Sequence, residues 1–442
     1  MPPKDGKEAA AIASVPEEMT GQPRRVVLKK LSWRNIFASL RHPNFRLFFA
    51  GQLISLIGTW MQNTAQGWLV YELTGSKILL GVVAAVGSTP MMLFSILGGS
   101  VADRYSKRRI VLCTQTGMML FAFVFAGLVW SGRIRPWHIL VLAALGGLAL
   151  AFDMPARQAF MVEMTSRQDL INAISLNSSM VNGARVVGPS VAGLLMARVG
   201  MAMCFFLNGL SFLAVIASLL LMRLPEFVPP QRTSSAWAHA AEGFSYVWHH
   251  GRMRTLLILF AIVGVFGWSY SVLMPAFARD VLGVGQARYG VLLSANGIGA
   301  LLGALTVATV GAHVNRRFLV LGGLWFFSAM LLLLAWVQNY YLALLVLALA
   351  GWGMLLFFST TNTLLQTSAS DEMRGRVMGI WTLVFGGTAP FGGLEAGTVS
   401  HYLGVRWAVT IGAIVCALAG LVVWLIVRQR PPHTAPAAPS AS

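Results

Sequence analysis

The sequence predicts an all-α integral membrane protein with twelve transmembrane helices in two six-helix bundles. Three observations carry this. Of 442 residues, 56% are hydrophobic and only 11% are charged, where a soluble domain carries about 25% charged residues. Mean hydropathy is +0.69. Apolar runs that meet the bilayer requirement of about 20 residues recur at 45–71, 78–100, 110–130, 137–160, 171–198, 201–222, 254–278, 287–311, 318–337, 340–367, 376–402 and 405–427.

Twelve spans put both ends of the chain on one side. Of the 33 lysines and arginines, 25 fall on that side or the span ends nearest it, seven on the other, and Arg185 alone lies in the middle of a span. Positive charge marks cytoplasmic loops, so both termini are expected in the cytoplasm. The same distribution answers the net charge of +18. The cations sit in short loops where they orient spans, so no nucleic-acid partner is expected. The first apolar run is too long for a cleaved leader, and none is expected.

Organisation follows from the polar stretches. Residues 1–44 are expected as an N-terminal tail whose end, "LSWRNIFASLRH", is an interfacial helix, and 429–442 as a disordered C-terminal tail. Between bundles at 45–222 and 254–428 lies a linker, 223–253. It begins with prolines and continues as "AWAHAAEGFSYVWHH", with Trp237, Ala240, Ala241, Phe244 and Trp248 at helical spacing. That pattern predicts an amphipathic helix on the cytoplasmic interface. The halves repeat. "VADRYSKRRIVL" (101–112) and "TVGAHVNRRFLV" (309–320) both join the second and third spans of their half, and Pro189 and Pro390 fall at matching places in the fifth. Paired interrupted spans in two halves point to a carrier.

Several residues stand out chemically. Arg185 sits one turn before Pro189 inside the fifth span. An intramembrane cation is a functional candidate by default. It is open to an anionic substrate group, to carbonyls freed by the proline, or to an acid in another span, Glu395 or Asp153. Desolvated, Glu395 could carry a coupling proton. Gln62, Asn63 and Gln66 share a helix face with Trp60 and could line a cavity, and Trp268 and Tyr270 suit aromatic cargo. Asn177, Asn182, Asn208, Asn296 and Asn362 are similar candidates, and interhelical packing is the competing role for all of them. At the edge of the second span Asp103 precedes Arg104, Lys107, Arg108 and Arg109. A carboxylate there can pair with an arginine or face a helix end. "RGRVMG", 374–379, offers Arg374 and Arg376 on the same side.

Enzyme signatures are absent or broken. "NGIGALLG" (296–303) has no preceding strand, and Gly299 and Gly303 read as a GxxxG packing pair. His249 and His250 lack metal-ligand company. No P-loop is present, and no metal or cofactor is expected. Cys113, Cys204 and Cys416 form no CxxC pair and are expected as small buried hydrophobes.

The stretch Gly99-Ser-Val-Ala-Asp103-Arg104-Tyr-Ser106-Lys107-Arg108 resembles the loop signature of the major facilitator superfamily, with Ser106 where that pattern carries glycine. The resemblance spans about 45–427. It implies two bundles related by pseudo-two-fold symmetry, and a cytoplasmic latch of Asp103 and Arg104 against the segment of Arg374 and Arg376. Breaking a buried pair costs about 3–5 kcal/mol, enough to redistribute a two-state carrier. Gly188, Pro189 and Gly193 are similar to the fifth-span antiporter motif, whose physical content is close packing and a bend. The tract 152–189 with "RGRVMGIW" resembles the bacterial drug and siderophore exporter branch, typified by enterobactin-exporter-like and macrolide-efflux-like carriers. The resemblance implies a monomeric, proton-driven exporter of small amphipathic molecules in the bacterial inner membrane. The alternatives are an importer of the same fold and a transport-inactive receptor or scaffold.

Overall fold

Helix ends follow local chemistry in the computed structural model, which describes residues 37–166, 168–224, 236–311 and 313–428. Pro43 opens α1 (Pro43–Thr74), where its missing N–H costs nothing. Gly75, at φ 59°, closes it with its N–H on Tyr71 O. Ser76 caps α2 (Lys77–Arg104) by accepting from Leu79 N. Then come α3 (Lys107–Trp130), α4 (Pro136–Met164), α5 (Leu170–Arg198) and α6 (Met201–Leu221). The linker helix α7 (Ala236–His249) leads to α8, Gly251–Val281. The second half continues with α9 (Gln286–Val310), α10 (Arg316–Trp336), α11 (Tyr340–Ser368), α12 (Arg374–Leu403) and α13 (Val405–Arg428).

Eleven helices among the described residues are long and apolar enough to cross a membrane. The twelfth is α1, whose 32 residues suffice in length. Gln52, Gln62, Asn63 and Gln66 make it more polar than its neighbours. All twelve coincide with expected spans. Residues 1–36 of the tail expected at 1–44, and the C-terminal tail at 429–442, lie outside the described residues. Of the interfacial helix expected at 31–42 the described part is one 3-10 turn, Ala38–Arg41, and α1 already begins at Pro43.

The two halves repeat in their backbone. Gly75 and Gly283, ending the first span of each half, have φ 59° and 62°. Ser106 and Asn315, opening the third, have φ/ψ of −57°/118° and −58°/117°. Gly200 and Gly404, opening the sixth, have 101°/163° and 89°/161°. Ser106 therefore needs no glycine: its φ is negative and open to any side chain.

Some expectations change. Cys113 is exposed, whereas Cys204 and Cys416 are buried. The span α8 is not a plain helix. π-helical turns at Val263–Gly267 and Phe277–Val281 flank a break at Trp268. There the Trp268 N–H reaches Val263 O at 3.1 Å, one residue beyond α-helical pairing. The α7 side chains Trp237 and Ala240 lie outside the described residues. Phe244 and Trp248 are exposed and stacked 5.6 Å apart. Gly243, on the opposite face, packs against Arg376 of α12. His249 and His250 bond carbonyls of their own helix, Ser245 O and Tyr246 O, both at 2.7 Å.

Candidate functional site: a cavity between the halves

Two seams join the halves directly, α2 with α12 and α5 with α9. Both are glycine-built. A Cβ on Gly393 would sit 2.8 Å from Gly81 O, and one on Gly81 would collide with Gly393 O. In the second seam a Cβ on Gly193 would meet Gln286 O and Ala287 O at 2.8 Å, and one on Gly290 would strike Pro189 O. Ser190 Oγ donates to Ser294 Oγ at 2.7 Å, and Ser294 donates to Val186 O at 2.5 Å. Both seams occupy the part of their helices remote from the start of α1, called here the far end. On the near parts, Leu93 of α2, Ile171 of α5 and Leu305 of α9 remain exposed.

Side chains reinforce the far end. Asp280 of α8 takes a hydrogen bond from the Tyr71 hydroxyl and lies 3.7 Å from Lys77 Nζ. Gln286 Nε2 donates to Glu72 Oε2 at 3.2 Å, and Trp68 lies 5.2 Å from the Tyr289 ring. This cluster was not singled out from sequence. Its available signal was Asp280, a lone acid beside Arg279 just past an apolar run.

Behind this closure lies a cavity of about 560 Å³, lined from both halves. Trp60, Gln62, Asn63 and Gln66 reach it from α1, and Arg185 and Pro189 from α5. Trp268 and Asn296 reach it from the second half. Gln62 accepts from Asn208 Nδ2 at 2.7 Å, which orients its amide. Gly188 lies behind the wall, where a Cβ would meet Trp60 Cβ at 2.6 Å. Gly188 thus brings α5 onto α1, and Gly193 brings it onto α9.

Arg185 crosses the boundary. Its Nη2 donates to Asn296 Oδ1 at 2.8 Å. Its guanidinium lies 5.8 Å from the Trp60 ring and 5.6 Å from the Trp268 ring. Two aromatic faces and an amide oxygen hold the cation. Of the partners left open by the sequence, the acid is overturned: neither Asp153 nor Glu395 meets Arg185. Asp153, fully buried in α4, pairs with Arg157 at 2.6 Å and accepts from Thr114 and Gln115 at 2.8 and 3.0 Å. Glu395 does not line the cavity either. Both its oxygens are shielded from solvent and lack a hydrogen-bond partner. Ser269 beside it donates to Phe266 O instead. Tyr270 is also no cavity residue; it is buried and accepts from Asn296 Nδ2 at 2.8 Å. Of the other asparagines, Asn182 donates to Ser178 O on its own helix.

At the near end the loop residues are engaged. Lys107 lies 2.6 Å from Glu163, and Arg108 donates to Leu220 O at 3.0 Å. Arg374 pairs with Asp371 at 2.6 Å, and Arg376 pairs with Glu242 of α7. Asp103 is half-buried at the end of α2, and Arg104 is exposed.

A cavity lined from both halves, within a bundle of spanning helices, suits passage of a solute more than covalent chemistry. The comparisons agree. Residues 34–441 match the family described as transmembrane secretion effector. The chain is 27% identical to the multidrug efflux pump Tap of Mycolicibacterium fortuitum over 88% of this chain and 97% of that one. It is 26% identical to the enterobactin exporter EntS of Salmonella typhimurium, covering 84% and 90%. It is 22% identical to the staphyloferrin A transporter of Staphylococcus aureus, covering 87% and 96%. In fold it is similar to a bacterial homologue of the lysosomal transporter Spinster solved inward-facing and unoccupied, with TM-score 0.71, 13% identity and coverage of 91% and 100%. The nucleoside transporter NupG is similar too, with TM-score 0.69, 14% identity and coverage of 90% and 100%. The chain is a multi-pass membrane protein of the major facilitator superfamily and belongs to its transmembrane secretion effector family.

Proposed function

We propose that this protein exports small amphipathic molecules, drug-like or siderophore-like, across the bacterial inner membrane by alternating access, driven by protons. The observation that carries the reading is the cavity itself. It is shared by both halves, closed at the far end, and centred on an arginine held between two tryptophans. Such a wall receives a molecule with an anionic or hydrogen-bonding group and an aromatic or apolar body. The direction rests on relatives named as an efflux pump and an exporter.

With both tails in the cytoplasm, the near end is the cytoplasmic one and this conformation opens inward. Reorientation separates the glycine seams and the Asp280 cluster, and brings the near ends together. Asp103 then meets the start of α12, after Arg374 and Arg376 exchange their present partners Asp371 and Glu242. Arg185, one turn before Gly188–Pro189, lines the cavity and lies beside the seam of α5 with α9. Glu395 supplies the proton site. Its oxygens are shielded from solvent, where a bare charge is costly and a carboxyl that carries a proton fits. The protein works as a monomer and needs no cofactor or metal in this reading.

The test is efflux from cells preloaded with fluorescent amphipaths and catechol siderophores. Wild type, Asp103→Asn, Glu395→Gln and an empty vector are compared, with and without a protonophore. Efflux that needs Asp103 and Glu395 and stops with the protonophore is expected. Uptake that depends on the gradient would replace export by import. Tight binding without flux in either direction would leave a receptor.

A further inference from the structure

A second concavity, of about 650 Å³, lies away from the substrate cavity, among α8, α10, α11 and α13 at the near end. Three separate helix ends each bring an arginine to it. Arg252 comes from the start of α8, Arg317 from the start of α10 and Arg428 from the end of α13. The lining contains no acidic residue. None of the three has a carboxylate partner among the described residues. Arg428 lies 5.3 Å over the Trp424 ring. The adjacent Arg316 is engaged elsewhere and donates to Thr367 Oγ1 at 3.1 Å.

Deeper along the helices the lining turns apolar, with Leu256, Leu321, Trp325 and Val423. Gly322 leaves room there, since a Cβ on it would meet only Phe318, at 3.8 Å. The helices packed against α10 and α13 all belong to the second half, so the groove faces outward, onto the bilayer. Three cations converging without an acid repel one another and call for an anion. The apolar floor beneath them does not suit a small hydrated anion, which would leave it unfilled. Basic pockets between spanning helices at a membrane surface have the chemistry of a phospholipid headgroup site.

We propose that this groove binds an anionic phospholipid, with its phosphate on Arg252, Arg317 and Arg428 and its acyl chains along Leu321, Trp325 and Val423. The site is independent of the transport cavity and of the direction of transport.

The experiment is lipid retention by the purified full-length protein, read by native mass spectrometry in neutral detergent. Dioleoyl phosphatidylglycerol and dioleoyl phosphatidylcholine are titrated separately. Wild type is expected to hold phosphatidylglycerol at least about tenfold better, as several arginines at the surface imply. Arg252→Gln/Arg317→Gln/Arg428→Gln removes that preference. Arg317→Gln alone, at an exposed helix start, weakens retention about fivefold. Gly322→Leu fills the groove, leaves the arginines in place and weakens retention as well. Arg133→Gln, in a far-end loop, changes nothing. Excess glycerol 3-phosphate leaves the lipid bound. Undiminished phosphatidylglycerol retention in the triple variant or in Gly322→Leu overturns the proposal. Displacement by glycerol 3-phosphate at concentrations equal to the lipid also overturns it, in favour of a bare phosphate site.

Discussion

Arg185 and Asn296 face each other across the boundary between the halves, with the guanidinium donating to the amide oxygen at 2.8 Å. The amide is held in that sense from behind. Its nitrogen donates to the Tyr270 hydroxyl at 2.8 Å and to Leu347 O at 3.2 Å. The oxygen is left to point at the arginine. A bond from one half to a side chain locked in the other reads out their separation.

Replacing Arg185 should therefore impair transport beyond a packing defect. A hydrogen bond to a charged group contributes about 1.5–3 kcal/mol. Arg185→Ala should lower the apparent affinity for an anionic amphipath about 10- to 100-fold. Arg185→Lys keeps the charge but loses the planar contact with Trp60 and Trp268, and should recover only part. Equilibrium binding to purified protein measures both. Equal binding by all three proteins would make Arg185 a packing residue.

The Asp280 cluster should hold the far end shut. Lys77 and Asp280 are partly exposed, at 26% and 37%, so their pairing is expected to contribute no more than about 1 kcal/mol. The Tyr71 bond adds to it. Asp280→Asn should raise the far-open population several-fold. Spin labels at Thr74 and Arg288 would report this as a longer distance component, once the exposed Cys113 is replaced by serine.

The seam should be intolerant of side chains. Gly81→Ala forces a methyl onto Gly393 O and against Gly397 Cα, and overpacking typically costs about 1–3 kcal/mol. The same labels should show the far end opening about tenfold more often. Gly75→Ala contrasts with it. That Cβ has nothing within 4 Å, but φ is 59°, so the cost is backbone strain and falls on thermal stability.

One acid-sensitive contact lies outside the spans. Asp169 accepts from the His42 ring at 2.8 Å and from Ser166 at 3.3 Å. These bonds, the His42 one foremost, hold its carboxyl below the usual range. Its folded state therefore binds its proton less readily than the unfolded chain does. The stabilisation is present above the unfolded value, about 3.9, and is lost as pH falls through the lower folded one. Asp169→Asn should lower the melting temperature at neutral pH, and the difference should vanish in strong acid. A gap that persists under strongly acidic conditions would assign the effect to packing.

Much of this architecture is legible in the sequence. Apolar length places all twelve spans, because a bilayer imposes one ruler on every helix. The paired motifs at 101–112 and 309–320 place the repeat. Trp60, Gln62, Gln66, Arg185 and Trp268 do meet in one cavity. Pairing between spans is not legible. Helical spacing says which residues share a face but not which face it meets, so the sequence leaves the partner of Arg185 open and the acids among its candidates serve elsewhere. The break at Trp268 escaped too, because a π turn keeps its apolar composition. The cluster of Tyr71, Lys77 and Asp280 escaped because Asp280 lies 209 residues from Tyr71 in the chain.

The glycine seams have one further consequence. Closing most protein interfaces freezes side chains and costs up to about 2 kcal/mol of rotamer entropy for a long one, whereas glycine and alanine have almost none to lose. Where Gly81 meets Gly393 and Gly193 meets Gly290, backbone rests on backbone. That part of the joint closes without ordering anything and opens without releasing anything. Its balance is then left to the few side chains at its margin, so small changes at Asp280 or Arg185 weigh heavily on a large movement.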